Sequence, residues 1–247
     1  MNLHLIELPV PMRALHLWAG SRGMSSPFDE GLALHHLLGE AFGPGVLQPF
    51  RLMVAPGARI GTLYGYATHD ADALRTAARG AITPAVAEVV TLDQLRSLPR
   101  PVSGWSAGQR LGFDIRLRPV VRLASTLSAK TETGAEVAFR KGAEVDAFLA
   151  AVLRDQQTTR EETYLAWLSE RLGHAATLDL TATRLASFER TRVQRNGRRL
   201  EGPDAGIHGT LTITDAQHFA EILGRGLGRH RSYGYGMLLL RPPQRSR

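Results

Sequence analysis

The amino-acid sequence contains no cysteine, so the protein has no disulfide bond, no thiolate metal ligand and no thiol nucleophile. It also lacks any uncharged apolar run of about 18 residues, the length that a membrane-spanning helix needs. The N-terminal segment MNLHLIELPVPM carries Glu7 and has neither the basic start nor the small-residue cleavage site of a secretory signal peptide. We therefore expect a cytoplasmic protein.

The motifs of two further classes of site are missing. The chain has no GK[ST] tripeptide, which excludes a P-loop nucleotide site. Its nine histidines show no HExxH or similar ligand spacing. The sequence therefore predicts no metal site and no cofactor.

What the chain has instead is a surplus of arginine near its C-terminus. Residues 184–247 hold twelve arginines and five acidic residues, whereas residues 1–183 hold eighteen basic and eighteen acidic residues. The whole net charge of +7 therefore lies in the last quarter of the chain. A concentrated basic region suggests a polyanionic partner, most often nucleic acid. A solvated basic face is an equally good interpretation of the charge alone.

The first half of the chain has the pattern β-α-β-β-α. The segment LHLIEL predicts a strand that ends at Pro9 and Pro11, and residues 12–28 resemble a polar loop. The segment DEGLALHHLLGEAFG predicts a helix with Asp29 as N-cap and Gly43 as stop, because its apolar residues recur at helical spacing. Two strands, PFRLMVAP and RIGTLYGYA, and a second amphipathic helix, DADALRTAARGA, follow.

The second half repeats this order. GQRLGFDIRLRP predicts a strand, and REETYLAWLSERLG predicts a helix that begins with a capping box of Thr159 and Glu162. TLDLTATRLASFERTRVQR and GIHGTLTI predict two further strands, with a turn at NGRR between them. DAQHFAEIL predicts a helix that is capped by Thr214 and Gln217 and stops at Gly224, and MLLL predicts a buried final strand.

The repeated order indicates the fold. Each half carries the elements of a ferredoxin-like unit, in which two helices connect four strands. The predicted fold class is therefore α+β, with two tandem ferredoxin-like (RRM-like) units. We place the first unit at residues 1–105 and the second at residues 106–247.

The stretch GRGLGRHRSYGYGM, residues 224–237, places five glycines among three arginines and a histidine. A dinucleotide-binding fingerprint needs a strand before its glycines and a helix after them, but here a helix precedes and a strand follows. A glycine C-cap followed by a loop explains one glycine but not five. Glycine lets the backbone approach a phosphate chain, while arginine neutralises the charge. The residues of the predicted nucleic-acid contact are Gly224, Arg225, Gly226, Gly228, Arg229, Arg231, Gly234 and Gly236.

This helix, glycine-rich loop and final strand resemble the signature of the repeat-associated RNA-binding (RAMP) superfamily of CRISPR systems. With LHLIEL, LALHHLLGEAFG, GQRLGFDIRLRP and YLAWLSERLG in the same order, the chain resembles the CasE (Cse3) type of CRISPR repeat endoribonuclease. The resemblance covers most of the chain and is weak at residues 60–105 and 124–157. It implies metal-independent cleavage of repeat hairpins in precursor crRNA. The RNA's own 2′-hydroxyl would attack the adjacent phosphate and leave a 2′,3′-cyclic phosphate.

The resemblance also implies catalytic residues. It places His35 at the position of the family's catalytic histidine, and helical periodicity independently puts His35 at the edge of the apolar stripe, with His36 pointing away. Arg22 and the loop arginines would stabilise charge on the phosphate, and His230 is the rival base. An arginine cluster that works without any essential histidine is the other alternative. The chain departs from the family at Leu32, where a tyrosine is frequent, and in having arginine where the loop often has lysine.

A basic hairpin completes the expected RNA site. FERTRVQRNGRR supplies Arg190, Arg192, Arg195, Arg198 and Arg199. The resemblance implies that this hairpin binds a stem-loop RNA, and a solvated hairpin is the alternative interpretation of its charge. The implied partners are the pre-crRNA stem-loop, the crRNA and other subunits of a CRISPR effector complex. The alternative function is a non-catalytic crRNA-binding subunit of such a complex.

Overall fold

The computed structural model describes residues 2–24, 28–130, 136–195 and 198–243. Within them, side chains are described everywhere except at residues 130, 193–195 and 198–200. Their strands form two four-stranded sheets and two small two-stranded sheets. No helix in this part of the chain is long and apolar enough to cross a bilayer.

The first sheet comes from the N-terminal part of the chain. Its strands are β1 (His4–Pro11), β2 (Phe50–Met53), β3 (Ile60–Ala67) and β4 (Arg96–Pro99). The helices between them are α1 (Met12–Ser21), α2 (Glu30–Phe42), α3 (Ala71–Arg79) and α4 (Pro84–Ala87). The strand order is β2-β3-β1-β4, and every neighbouring pair is antiparallel.

The second sheet comes from the C-terminal part. The strands of this part are β5 (Arg110–Leu117), β6 (Val120–Arg122), β7 (Leu127–Lys130), β8 (Glu136–Phe139), β9 (Glu144–Asp146), β10 (Ala176–Arg195), β11 (Arg198–Ile213) and β12 (Leu239–Arg241). Its helices are α5 (Ala147–Val152), α6 (Arg160–Leu172) and α7 (Ala216–Arg225). The large sheet has the order β10-β11-β5-β12, while β6 pairs with β9 and β7 with β8.

Both large sheets have the strand order of a ferredoxin-like unit. In each, the first strand of the unit lies between the third and the fourth, and the helices connect the strands as in β-α-β-β-α-β. The predicted α+β fold with two ferredoxin-like units is therefore confirmed. The boundary between residues 105 and 106 remains a prediction, and it falls in the segment between β4 and β5.

The structure differs from the sequence prediction near the N-terminus. β1 continues through Pro9 and Pro11, because β4 pairs with β1 only as far as Glu7 and the prolines face one neighbouring strand. The predicted loop at 12–28 contains the helix α1, which buries Leu15, Trp18 and Ala19 at helical spacing. The polar residues after α1 obscured this stripe.

Two further predictions were wrong in the second half. The N-cap of α7 is Asp215, whose carboxylate accepts a hydrogen bond from the His218 N–H (2.9 Å), whereas the Thr214 hydroxyl donates to the His174 carbonyl (2.5 Å). α7 also continues one residue past Gly224, to Arg225. The capping box of Thr159 and Glu162 on α6 is confirmed.

The two sheets share packed surface. One apolar cluster fills the first half, but Leu3 and Tyr66 of that half belong to the cluster of the second. The buried Tyr66 hydroxyl donates to the Leu238 carbonyl (3.0 Å). The side chains of Arg51 on β2 and Asp114 on β5 form an ion pair between the sheets. These contacts hold α2 of the first half close to the glycine-rich stretch of the second.

Candidate active site

The helix α2 positions His35 as the sequence predicts. Asp29 caps it by accepting a hydrogen bond from the Leu32 N–H (3.0 Å), and it ends at Gly43, whose φ is 97°. The apolar stripe Leu34, Leu37, Leu38, Ala41 and Phe42 is buried. His35 is half-buried at the edge of this stripe, and His36 is exposed. His35 thus lies where a helix side chain can meet both the protein and a ligand.

Glycines determine the backbone conformation of the glycine-rich loop (residues 224–237). Gly226, Gly228, Gly234 and Gly236 have φ between 73° and 81°. A Cβ on Gly236 would lie 2.1 Å from the Leu227 carbonyl oxygen, so only glycine fits there. Gly226, Gly234 and Gly236 are buried, and Gly224 and Gly228 are half-buried. These glycines set the path of the loop more than they form its surface.

The glycine-rich loop contacts α2 directly. The ring of Tyr233 lies 5.0 Å from the ring of His35, measured between centroids. A Cβ on Gly31, in the first turn of α2, would lie 2.4 Å from the Tyr233 carbonyl oxygen. The helix can therefore approach the loop this closely only because residue 31 is glycine. Candidate base and candidate RNA-binding loop meet at this contact.

A polar network lies beside the contact. Arg116 on β5 donates two hydrogen bonds to the Asp204 carboxylate (2.9 and 2.6 Å), and the Tyr235 hydroxyl donates to the same group (2.9 Å). Glu30 Oε1 lies 3.6 Å from Arg116 Nη1. Burial raises the pKa of Glu30, and the charge of Arg116 opposes this rise.

Three of the four cationic residues of the glycine-rich loop, Arg229, His230 and Arg231, already have protein partners. Arg229 Nε lies 2.7 Å from Glu144 Oε1, and His230 Nε2 lies 3.4 Å from Glu144 Oε2. Arg231 donates to the carbonyl of the exposed Arg225 (2.8 Å). A phosphate would compete with Glu144 for Arg229 and His230.

Arg22 lies at the end of α1. Its guanidinium donates two hydrogen bonds to the Glu40 carboxylate (3.1 and 2.7 Å) and stacks 4.1 Å from the centre of the Trp18 ring. Arg22 would have to leave Glu40 to reach a phosphate. The role of Arg22 in catalysis remains a prediction.

The basic hairpin is a long two-stranded ribbon made of residues 187–195 and 198–206. Arg190 and Arg192 share a face, as predicted, and both lie beside Glu201, at 3.2 and 3.1 Å between the nearest charged atoms. The backbone of Arg195, Arg198 and Arg199 lies near the end of the ribbon. Asn196 and Gly197 of the predicted turn lie outside the described residues.

The described residues provide neither a serine-hydrolase site nor a metal site. The segment GWSAG at 104–108 matches the G-x-S-x-G pattern of serine hydrolases, but Ser106 precedes the strand β5 instead of joining a strand to a helix. It therefore lacks the nucleophile-elbow geometry. Within the described residues, no three His, Asp or Glu side chains are grouped closely enough to hold a metal ion.

Sequence reasoning missed several residues around His35. Glu30, Gly31 and Tyr233 lie within or against α2, and Arg116 and Asp204 come from two strands of the second sheet. One signal was available, because a glycine in the first turn of a helix disfavours helix formation and often marks a close approach. The strand residues gave no such signal.

Comparisons with known proteins agree with this architecture. A sequence model of a family described as "CRISPR associated protein" matches residues 10–242. The fold is similar to that of the CRISPR endoribonuclease Cse3 bound to 19 nt RNA, with a TM-score of 0.63 and 19% identity over 98% of this chain and 100% of that chain. It is also similar to the CRISPR-associated protein Cas6e of Escherichia coli str. K-12, with a TM-score of 0.58 and 19% identity over 98% and 100%.

A chain of a CRISPR RNA-guided surveillance complex has a TM-score of 0.55 and 17% identity over 96% of this chain and 98% of that chain. At these identities the solved structures establish the fold. No curated protein matches the sequence. Because the family model spans nearly the whole chain, the protein belongs to the CRISPR-associated protein family, and it has the fold of Cse3 and Cas6e.

Proposed function

We propose that this protein is a metal-independent endoribonuclease that cleaves CRISPR repeat hairpins in precursor crRNA. The observation that carries the proposal is the contact between His35 and Tyr233, which joins a candidate base to the glycine-rich loop. Family membership and the fold shared with RNA-bound Cse3 support the same assignment. The surplus of arginine in the last quarter of the chain suits an RNA substrate.

The proposed reaction uses the RNA as its own nucleophile. His35 accepts the proton of a 2′-hydroxyl, whose oxygen then forms a bond to the adjacent phosphorus. The bond from phosphorus to the 5′-oxygen breaks, and that oxygen takes a proton from water. The products are a 2′,3′-cyclic phosphate and a 5′-hydroxyl end.

Positive charge beside the phosphate would stabilise the transition state. Arg229 and Arg231 of the glycine-rich loop are the nearest candidates in sequence to Tyr233, and Arg22 is the third. Arg229 Nε lies 2.7 Å from Glu144, so this carboxylate would compete with a phosphate for the guanidinium. His230 shares Glu144 and is the rival base.

The ribbon supplies the surface for the stem of the hairpin. Double-stranded RNA is recognised mainly through its phosphates, its 2′-hydroxyls and its shape. Arg190 and Arg192 are exposed on one face of the ribbon, and we assign Arg195, Arg198 and Arg199 to the same RNA contact. Of the loop residues, Arg225 is exposed and available, whereas the glycines act by fixing the backbone.

The proposal is tested by incubating the purified protein with a labelled repeat hairpin in EDTA. We expect one site-specific cut and a 2′,3′-cyclic phosphate end, because no step requires a metal ion. Tight binding without cutting would instead support the alternative, a non-catalytic crRNA-binding subunit. Cutting that stops in EDTA and returns with a divalent metal would contradict the mechanism.

We also propose that the protein retains its product and joins a CRISPR effector complex. The similarity to a chain of an RNA-guided surveillance complex supports this step. Co-purification of the protein with the processed crRNA and other subunits would test it. Release of the crRNA at the rate of an unrelated RNA would contradict it.

A further inference from the structure

A cavity of about 200 Å³ lies where α2, the glycine-rich loop and the ribbon meet. Thr191 and Arg192 lie on its ribbon side, and the rest of its lining combines aromatic, acidic and basic residues with one glycine: Phe28, Tyr233, Tyr235, Asp29, Glu30, Arg116 and Gly31. Pockets for drug-sized ligands are larger than this. The size and the aromatic lining suit one planar group, and single-stranded RNA bases are commonly bound by stacking on aromatic side chains.

Of the two carboxylates in this lining, Asp29 caps α2 by accepting from the Leu32 N–H, whereas Glu30 faces different partners. Its nearest cation is Arg116 at 3.6 Å, but the short hydrogen bonds of Arg116 go to Asp204. Among the described residues, no group donates a hydrogen bond to the Glu30 carboxylate within ordinary distance. Two thirds of the side chain is nevertheless shielded from solvent, with 33% exposed. Such a carboxylate has acceptor capacity that a donor on a bound ligand can use.

The chemistry of RNA limits what that donor can be. Phosphates repel a carboxylate, so Glu30 cannot serve the backbone contacts for which the surrounding arginines are suited. A carboxylate accepts hydrogen bonds only, and its two oxygens suit two adjacent N–H groups. On the Watson–Crick edge of an unpaired base, guanine alone offers two such donors side by side, N1–H and the N2 amino group. Adenine and cytosine offer one donor beside an acceptor, and uracil offers one between two acceptors.

We propose that this cavity binds an unpaired guanine that flanks the scissile phosphate, with the Glu30 carboxylate accepting hydrogen bonds from its N1–H and N2 amino groups. Tyr233 supplies a stacking surface and also contacts His35 (5.0 Å between ring centroids), so the bound base lies beside the candidate catalytic group. The inference rests on the proposed function and adds to it a nucleotide specificity. Binding of the base would also orient the adjacent phosphate.

The test combines one protein variant with the removal of one amino group from the RNA. Each guanine within three nucleotides of the mapped cut is replaced singly by inosine, which keeps N1–H but lacks the N2 amino group. At one of these positions, that of the bound guanine, we expect inosine to slow single-turnover cutting by wild-type protein about tenfold or more. This is the effect of losing a hydrogen bond to a charged group. In Glu30→Gln that inosine penalty should largely disappear, because the two changes remove the same interaction. The matched control is Glu88→Gln, an exposed glutamate on another helix end, which should keep the full penalty.

The outcomes separate this inference from the proposed function. If wild-type protein cuts no repeat RNA, the proposed function fails. If it cuts, and inosine costs the same in wild type and Glu30→Gln at every position, the guanine site is refuted. 7-Deazaguanine, which changes only the Hoogsteen edge, should be cut normally at the sensitive position, and a penalty there would also contradict the model. Should Glu30→Gln prove unstable, Glu30→Asp keeps the charge beside Arg116 but withdraws the oxygens, and it should reduce the penalty in the same way.

Discussion

His35 is the residue on which the proposed chemistry depends most. Replacing it with alanine should slow cutting by about 10²–10⁴-fold, the usual contribution of a positioned general base. Binding of the repeat hairpin should change little, because the arginines of the loop and the ribbon remain. Single-turnover cutting and a filter-binding assay measure the two effects. His36→Ala removes the exposed neighbouring imidazole and should cut normally. If His35→Ala also cuts normally, the base must be sought at His230 or among the arginines.

Glu30 should weaken the fold as pH rises. Burial raises its pKa above the ordinary value of 4.5, so the folded state holds a proton that the unfolded chain releases. The contribution of Glu30 to stability is therefore present below pH 4.5 and is lost as the pH rises through the folded pKa. Glu30→Gln lacks this titration. Urea unfolding should show the variant gaining stability relative to wild type as the pH rises from 4.5 to neutral. A difference that does not vary with pH would contradict this account.

At the scale of elements, the approach of α2 to the glycine-rich loop can be tested with two glycines of one helix. A Cβ on Gly31 would meet the Tyr233 carbonyl oxygen at 2.4 Å, whereas a Cβ on Gly39 would meet nothing within 4 Å. Gly31→Ala should therefore cost about 1–3 kcal/mol of stability and slow cutting, because the loop must move away. Gly39→Ala should stabilise the protein by about 0.5–1 kcal/mol and leave cutting unchanged. Thermal unfolding and cutting rates together check both, and equal behaviour of the two variants would refute the close contact.

One substitution in the ribbon should strengthen the binding of RNA instead of weakening it. Glu201 lies beside both Arg190 and Arg192, so it neutralises part of the charge offered to RNA. Glu201→Gln should tighten binding of the hairpin several-fold and steepen the dependence of log K on log salt by up to about 1, as the freed arginines displace counterions. Titrations over a range of salt concentrations measure this. Glu88→Gln makes the same charge change far from the ribbon in sequence and should leave the slope unaltered; a matching increase there would show a general charge effect.

The sequence predicted the helices and strands better than it predicted the contacts between them. Periodicity and capping predicted α2 and the position of His35, because those signals lie within one helix. The same reasoning missed α1, whose apolar stripe precedes a polar segment. It also missed the grouping of Glu30, Arg116 and Asp204, since strand pairing and sheet packing bring these residues together across the chain. Family resemblance supplied roles for single residues but no pocket geometry.

At the scale of the whole molecule, the two sheets should unfold as one unit. Leu3 and Tyr66 from the first half pack in the apolar cluster of the second half, and Arg51 and Asp114 join the sheets through a largely buried ion pair. His208 Nε2 also lies 2.5 Å from the Asp114 carboxylate. Neither half can therefore lose its structure without exposing apolar or charged groups of the other. Circular dichroism and tryptophan fluorescence should report one coincident unfolding transition.

Asp114→Asn tests this coupling because it removes the charge that compensates Arg51 inside the protein. Breaking one side of a buried ion pair costs about 3–5 kcal/mol, and the loss should appear as a lower midpoint of urea unfolding. Asp179→Asn is the matched control, since its partner Arg110 is 48% exposed and such surface pairs contribute about 1 kcal/mol or less. Two separate transitions in wild-type protein, or equal losses in the two variants, would show that the sheets are independent. The contact between His35 and the glycine-rich loop would then lack the rigid support that the proposed catalysis requires.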